Sequence, residues 1–314
     1  MKKKAIIISI KGLKLTRDEK LLISNEKPWG IILFERNIES LGQIVELTKN
    51  IKKIANDKFF PILIDEEGSS VTRLGNLINN NISADYFGNL YSIDKKMGIN
   101  FYKQYLNSIC KNLKNIGVNI NTIPVLDLLR SNTNKVIGNR SFSNKKNIVK
   151  ILGQLTVKQC NKNKIISVIK HIPGHGCAIF DSHFKMPKVN LSRNELNKND
   201  FYPFKNNVAS LAMTAHILYK KIDNKNVATF SKKIIKEIIR EKIGYKGIIM
   251  SDDISMKALN YDLVTNAKKS LEAGCNLVLY CAGNIKDSLK LIKSVPYIDN
   301  FTLKKTSEIY KILR

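Results

Sequence analysis

Asp181, Ser182 and His183 set a carboxylate two positions from an imidazole, close enough for the two to meet within one extended or turned loop. Such a contact orients the ring and favours its protonated form, which suits donation of a proton to a leaving group. The same residues would also make an ordinary surface turn with an incidental pair, and the local sequence leaves both readings open. Gly174, Gly176 and Pro187 bracket the segment, so it could move as a lid. His171 and His175 have the i, i+4 spacing of a metal-binding helix, but Pro173-Gly174 lies between them. Proline disrupts the helix that this spacing needs, and no Glu stands where a zinc-site base would be, so no metal is expected. Ser251-Asp252-Asp253 follows a buried-looking run, where a carboxylate is costly unless it is paired or exposed at a mouth, although Ser251 or Asp252 alone could cap a helix.

These side chains need a scaffold, and the hydrophobic pattern predicts one. Short apolar, β-branched runs recur at Ala5–Ile10, Gly30–Phe34, Phe60–Ile64, Val118–Val125, Ile165–Ile169, Leu211–His216, Gly247–Met250 and Cys275–Tyr280. Continuous runs of this kind suit strands buried on both faces of a parallel sheet. Between them Ile38–Ile54, Lys96–Lys114, Lys146–Lys162, Lys232–Lys242 and Val264–Ala273 repeat apolar residues at helical spacing. Eight strand–helix units in 314 residues predict a single (β/α)8 barrel over residues 1–314. The rival is a doubly wound open sheet, which would carry a glycine-rich phosphate turn after its first strand; Ser9-Ile10-Lys11-Gly12 is not one.

In a barrel, the chemistry lies at the C-terminal ends of the strands. Those positions here hold Asp65-Glu66-Glu67-Gly68, Asp127, Lys170-His171, His216 and Ser251-Asp252-Asp253. Five polar strand ends on one rim predict a site.

Composition narrows the class. The net charge is +27, but only 8 of the 53 basic residues are Arg, and the lysines are scattered along the chain beside many Asn. Base-composition drift on solvated positions explains this better than a nucleic-acid surface, which concentrates its basic residues. No apolar run approaches the roughly 20 residues of a membrane span. Lys2-Lys3-Lys4 with Ala5–Ile10 resembles the start of a secretory signal, yet the apolar part is short and a first β-strand fits it better. Five cysteines without a C-x-x-C pair suit a reducing cytoplasm.

Taken in order, Lys170 through Gly176, Asp181-Ser182-His183 and Ser251 through Met256 resemble the bacterial β-N-acetylhexosaminidases of glycoside hydrolase family 3 that recycle peptidoglycan fragments. Gly30–Phe34 with Arg36-Asn37, Asp65 through Arg73, Pro124 through Asp127 and Ile137 through Phe142 extend the likeness over nearly the whole chain. The resemblance implies a retaining enzyme that removes terminal N-acetylglucosamine from muropeptides without a cofactor or metal. It implies Asp252 as nucleophile and His183, held by Asp181, as general acid and base in place of the usual second carboxylate. It also implies Asp65, Arg73, Arg140, Lys170 and His171 as ligands of the sugar hydroxyls and acetamido group. A cytoplasmic monomer acting on a small molecule, with no nucleic-acid or membrane partner, is the corresponding expectation. The sequence departs from the family pattern at Ser69-Ser70, where Gly-Arg is usual, and at Cys177. One alternative is a family 3 β-glucosidase, which would need a second α/β domain for its acid/base, and none is expected within 314 residues. Another is a non-catalytic basic binding protein on an eroded barrel.

Overall fold

The computed structural model describes residues 2–131, 133–178 and 186–314. All eight apolar runs form strands: β1 (Lys4–Ser9), β2 (Pro28–Leu33), β3 (Ile62–Ile64), β4 (Ile120–Asn121), β5 (Ile166–Ile172), β7 (Leu211–Thr214), β9 (Ile248–Asp253) and β10 (Leu277–Tyr280). They pair in parallel in the closed order β1-β10-β9-β7-β5-β4-β3-β2. A separate two-stranded ladder joins β6 (Lys188–Val189) to β8 (Leu218–Tyr219). The chain is therefore a (β/α)8 barrel, as its patterning predicts.

Alternation along the strands divides the core in two. Ala5, Ile7, Leu63, Val168, Met213 and Met250 belong to a cluster inside the barrel, whereas Ile6, Ile8, Ile62, Ile64 and Ile169 pack with the surrounding helices. Both sets are buried, which is why each strand reads as an unbroken apolar run. Trp29, fully buried, donates from Nε1 to Thr306 Oγ1 at 2.9 Å and so ties β2 to the C-terminal helix.

The surrounding helices are α1 (Arg17–Leu21), α2 (Leu41–Ile54), α3 (Ala84–Ile93), α4 (Lys95–Asn115), α5 (Lys146–Lys162), α6 (Arg193–Lys198), α7 (Leu263–Ala273), α8 (Ile285–Ser294) and α9 (Asn300–Leu313). The predicted helix at Lys232–Lys242 is a π-helical segment, Ile234–Lys242, that buries Ile234, Ile235, Ile238 and Ile239. Two boundaries differ in ways that matter for the site. The continuous β4 ladder ends at Asn121 and is interrupted at Pro124, which has no N–H to give, before pairing with β5 resumes at Val125, opposite Lys170. Strand β5 continues past Ile169 to Ile172, so Lys170 and His171 lie on the strand, at a register shift against β7, rather than in the following loop.

Candidate active site

The strand ends converge on a cavity of about 170 Å³, lined by Asp65, Arg73, Arg140, Lys170, His171 and Asp252, together with Glu67, His175 and Asp253. Six of the eight residues that the sequence singles out thus share one pocket. The other two, Asp181 and His183, lie outside the described residues, as does the rest of 179–185.

Lys170 is the centre of the polar wall. Its side chain is 3% exposed, and Nζ stands 3.2 Å from Asp65 Oδ1, 2.7 Å from Glu67 Oε1 and 2.8 Å from Thr122 Oγ1. Each carboxylate has a second cation. Arg73 Nη2 lies 3.2 Å from Asp65 Oδ2, and Arg140 grips Glu67 with two bonds of 2.7 and 2.8 Å. Burial pushes the Asp65 carboxyl up, but Lys170 and Arg73 outweigh it and hold the group well below the usual carboxylate range. Glu67 is likewise pushed up by burial and drawn down by Arg140 and Lys170, to about 2. The wall is a fixed lattice of alternating charge.

His171 is fixed from behind. Asp127, fully buried, lies 2.7 Å from its Nδ1 through Oδ2 and also accepts the His175 amide at 2.6 Å. Burial raises the Asp127 carboxyl, yet His171 and that amide bring it below its ordinary value. An ionised Asp127 places the His171 proton on Nδ1, and Nε2 is left as the second ring nitrogen. His175 is held neutral by burial, its pKa lowered to about 4.

Adjacent carboxylates on β9 are treated oppositely. Asp253 accepts from the Ser255 amide at 3.1 Å, Ser255 Oγ at 2.6 Å and the Cys281 amide at 3.2 Å, and burial raises its pKa. It is committed to the loop. For Asp252 burial also acts upward, but His216, His171, the Asp253 amide and Lys170 together lower it. Its Oδ1 accepts the Asp253 amide at 2.8 Å. Asp252 is therefore an ionised carboxylate at the pocket wall. His216, buried and pushed down by desolvation, reaches Asp253 O through Nε2 at 3.0 Å and Thr229 Oγ1 through Nδ1 at 2.7 Å.

The loops depend on backbone close approach at two glycines. A Cβ on Gly176 would sit 1.8 Å from Leu128 O, so the loops after β4 and β5 can meet only without one. Gly68 has φ +98 and would clash with Ile82 O at 2.3 Å. The departure at Ser69-Ser70 acquires a local purpose here: both hydroxyls reach the Asn139 side chain at 3.2 Å, one residue before Arg140.

Glu67, Thr122, Asp127 and His216 join this arrangement; the sequence counts Glu67, Asp127 and His216 among its polar strand ends without giving them a part, and does not single out Thr122. Asp127, Glu67 and His216 carry the same signal as Asp65, a polar residue just past an apolar run; their partners lie on other strands and in the turns at Arg140 and Thr229. Among the described residues no group of three His, Cys, Asp or Glu side chains is disposed to hold a metal, and no helix is long and apolar enough to cross a membrane.

A (β/α)8 barrel with charged strand ends around a cavity at its mouth has the layout of a barrel enzyme. Residues 2–306 match the glycosyl hydrolase family 3 N-terminal domain. The chain belongs to that family and is a glycoside hydrolase. It is 32% identical to a β-hexosaminidase of Nitrosomonas eutropha, over 88% of this chain and 80% of that one. A β-hexosaminidase of Haemophilus influenzae is 30% identical, over 93% and 85% of the two chains. NagZ of Neisseria gonorrhoeae, solved in complex with N-trifluoroacetyl-D-glucosamine, superposes with a TM-score of 0.89 at 29% identity, covering 100% of this chain and 91% of that one. A family 3 β-N-acetylglucosaminidase of Paenibacillus gives 0.86 at 26% identity, covering 98% of this chain; the match spans 60% of that longer protein.

Proposed function

We propose that the protein is a retaining β-N-acetylglucosaminidase that removes terminal N-acetylglucosamine from muropeptide fragments of peptidoglycan, acting as a monomer in the cytoplasm. The observation that carries this reading is the division of labour at the end of β9, where both carboxylates line the cavity but Asp253 is taken up by the Ser255 and Cys281 donors, while its neighbours hold Asp252 below its ordinary pKa. The relatives' β-hexosaminidase activity and the N-acylglucosamine bound to the Neisseria protein support the substrate class. Five free thiols suit a reducing compartment.

Asp65, Arg73, Arg140, Lys170 and His171 bind the hydroxyls and acetamido group of the sugar. Lys170 and His171 on β5, with Asp65 just past β3 and Arg73 and Arg140 brought in from loops and paired to the acidic residues, present charge that fixes the ring without reorganisation at the moment of reaction. An Asp252 carboxylate oxygen attacks the anomeric carbon, the glycosidic bond breaks, and its electron pair leaves on the aglycone oxygen. His183, oriented by Asp181, gives that oxygen its proton. The neutral imidazole then takes a proton from water, whose oxygen attacks the anomeric carbon and releases Asp252. Two inversions leave the configuration retained, and neither step uses a metal.

A fluorinated N-acetylglucosaminide that accumulates the intermediate is expected to label Asp252, as read by peptide mass spectrometry. A label on Asp253 overturns the assignment. Replacing His183 by Ala is expected to slow a basic leaving group by on the order of 10³ and a nitrophenolate far less, since the latter needs no proton. Equal losses would reduce His183 to a residue that positions the lid or the sugar.

A further inference from the structure

Asp65 and Glu66 are neighbours at the end of β3, and extended backbone sends successive side chains to opposite sides. Asp65 lines the cavity, whereas Glu66 is 1% exposed and does not. A buried carboxylate needs compensation, and Glu66 has four donors. Oε2 accepts the amides of Arg73 at 2.8 Å and Leu74 at 3.0 Å, the N–H groups on either side of the Arg73 Cα. Oε1 accepts Thr72 Oγ1 at 2.7 Å and Asn80 Nδ2 at 2.5 Å. The main chain of Glu66 is itself clamped to β4, because Asn121 accepts from its amide at 3.0 Å and donates to its carbonyl at 2.9 Å. The guanidinium of Arg73 stands 5.3 Å from the Phe34 ring centre and meets Asp65.

We propose that Glu66 is a positioning residue for Arg73: it fixes the main chain on both sides of that residue so that the guanidinium stands between Phe34 and Asp65 at the cavity wall. The inference rests on the reading of Arg73 as a sugar ligand. A long side chain reaches a defined point only if its Cα is held, and Glu66 holds this one from the barrel itself. What matters is one oxygen at the right reach, not charge. Glutamine keeps that oxygen for the two amides and turns its Nε2 toward Thr72 Oγ1 and a turned-over Asn80 amide. Aspartate keeps the charge but is one methylene short.

Kinetics on nitrophenyl N-acetyl-β-glucosaminide separate these cases. Glu66→Asp is expected to raise KM about tenfold with kcat changed less than about threefold, the mark of a lost contact shared by ground and transition states. Glu66→Gln is expected to stay within about threefold of wild-type KM. In an Arg73→Met background, Glu66→Asp should add less than about twofold, because the side chain it positions is gone. Asn80→Ala, which removes one donor supplied from farther along the same connection, provides a milder variant: KM up about threefold alone and unchanged in the Arg73→Met background. A wild-type KM in Glu66→Asp with a lowered Tm, an equal loss in Glu66→Gln, or multiplying losses in the double variants would each overturn the proposal. A wild-type KM in Arg73→Met alone would overturn the sugar-ligand reading beneath it instead.

Discussion

Two lysines are buried at opposite ends of the barrel, and their surroundings differ in kind. Lys3, just before β1, reaches Asp57 Oδ2 at 2.9 Å and the Tyr310 hydroxyl at 2.6 Å, and its ammonium sits 4.8 Å from the centre of the Phe60 ring. It has one carboxylate and an aromatic enclosure. Burial lowers its pKa, and the hydrogen bond and charge of Asp57 oppose that shift. The contacts join the first strand to α9 and to the turn before β3. Lys170 at the other end meets two carboxylates, each of which has a further arginine. A cross-tie needs only enough compensation to stay folded. A wall that is to bind a sugar, as proposed for Lys170 and its neighbours, must hold several charges at fixed spacing while one side is open to a ligand, and the pairing among its own members does this.

The largest effect that tests this contrast is expected for Lys170→Met. It leaves Asp65 and Glu67 to their arginines without the ammonium that spaces them, so kcat/KM should fall on the order of 10²–10³-fold. Lys170→Arg is expected to recover little of it, because the planar fork cannot reproduce three contacts made by a compact ammonium. Lys3→Met reverses the pattern. It removes a charged hydrogen bond and an ion pair at the closed end and should cost about 2 kcal/mol in denaturant unfolding, with kcat/KM within about twofold of wild type. An activity loss in Lys3→Met comparable to that of Lys170→Met would erase the distinction.

The same contrast explains which parts of the molecule are legible from residues alone. Parallel strands bury both faces, so Ala5–Ile10 or Cys275–Tyr280 stands out in one dimension, and eight such runs without a phosphate turn after the first favour a barrel over an open sheet. The helix Ala84–Ile93 has no such signature; it is held where Gly88 touches Phe142, a contact made across the fold. Candidate residues such as Asp65, Lys170 and Asp252 are visible because each breaks an apolar run at its end. Their partners are not. That Lys170 is shared by Asp65 and Glu67, or that Asp127 stands behind His171, depends on strand register, which pairs residues more than forty positions apart. The choice between Asp252 and Asp253 comes from the resemblance in sequence and acquires a physical basis only when the Ser255 and Cys281 donors are seen on the second carboxylate.

The smallest predicted effect is a pH dependence at the closed end. In the folded protein burial raises the Asp57 carboxyl, but Lys3, Tyr310 and the Phe59 amide together bring it below its ordinary value. A carboxylate with a depressed folded pKa contributes stability that is fully present above the unfolded value and is lost as pH falls through the folded one. The alkaline limb is a poorer probe, since the lowered Lys3 pKa makes stability rise with pH there while the raised Tyr310 pKa makes it fall. Asp65, Glu67, Asp127 and Asp252 are also depressed and contribute to the acid limb of the whole protein, so the useful quantity is the difference between wild type and Asp57→Asn. That difference in unfolding free energy should be constant from about pH 7 to 5 and close as pH falls below about 4. Lys3→Met should show the same closing gap, because the loss of either partner removes the same contact. A gap that persists unchanged to pH 2 would mean that packing around Phe60 and Tyr310, rather than the ion pair, joins the barrel to its last helix.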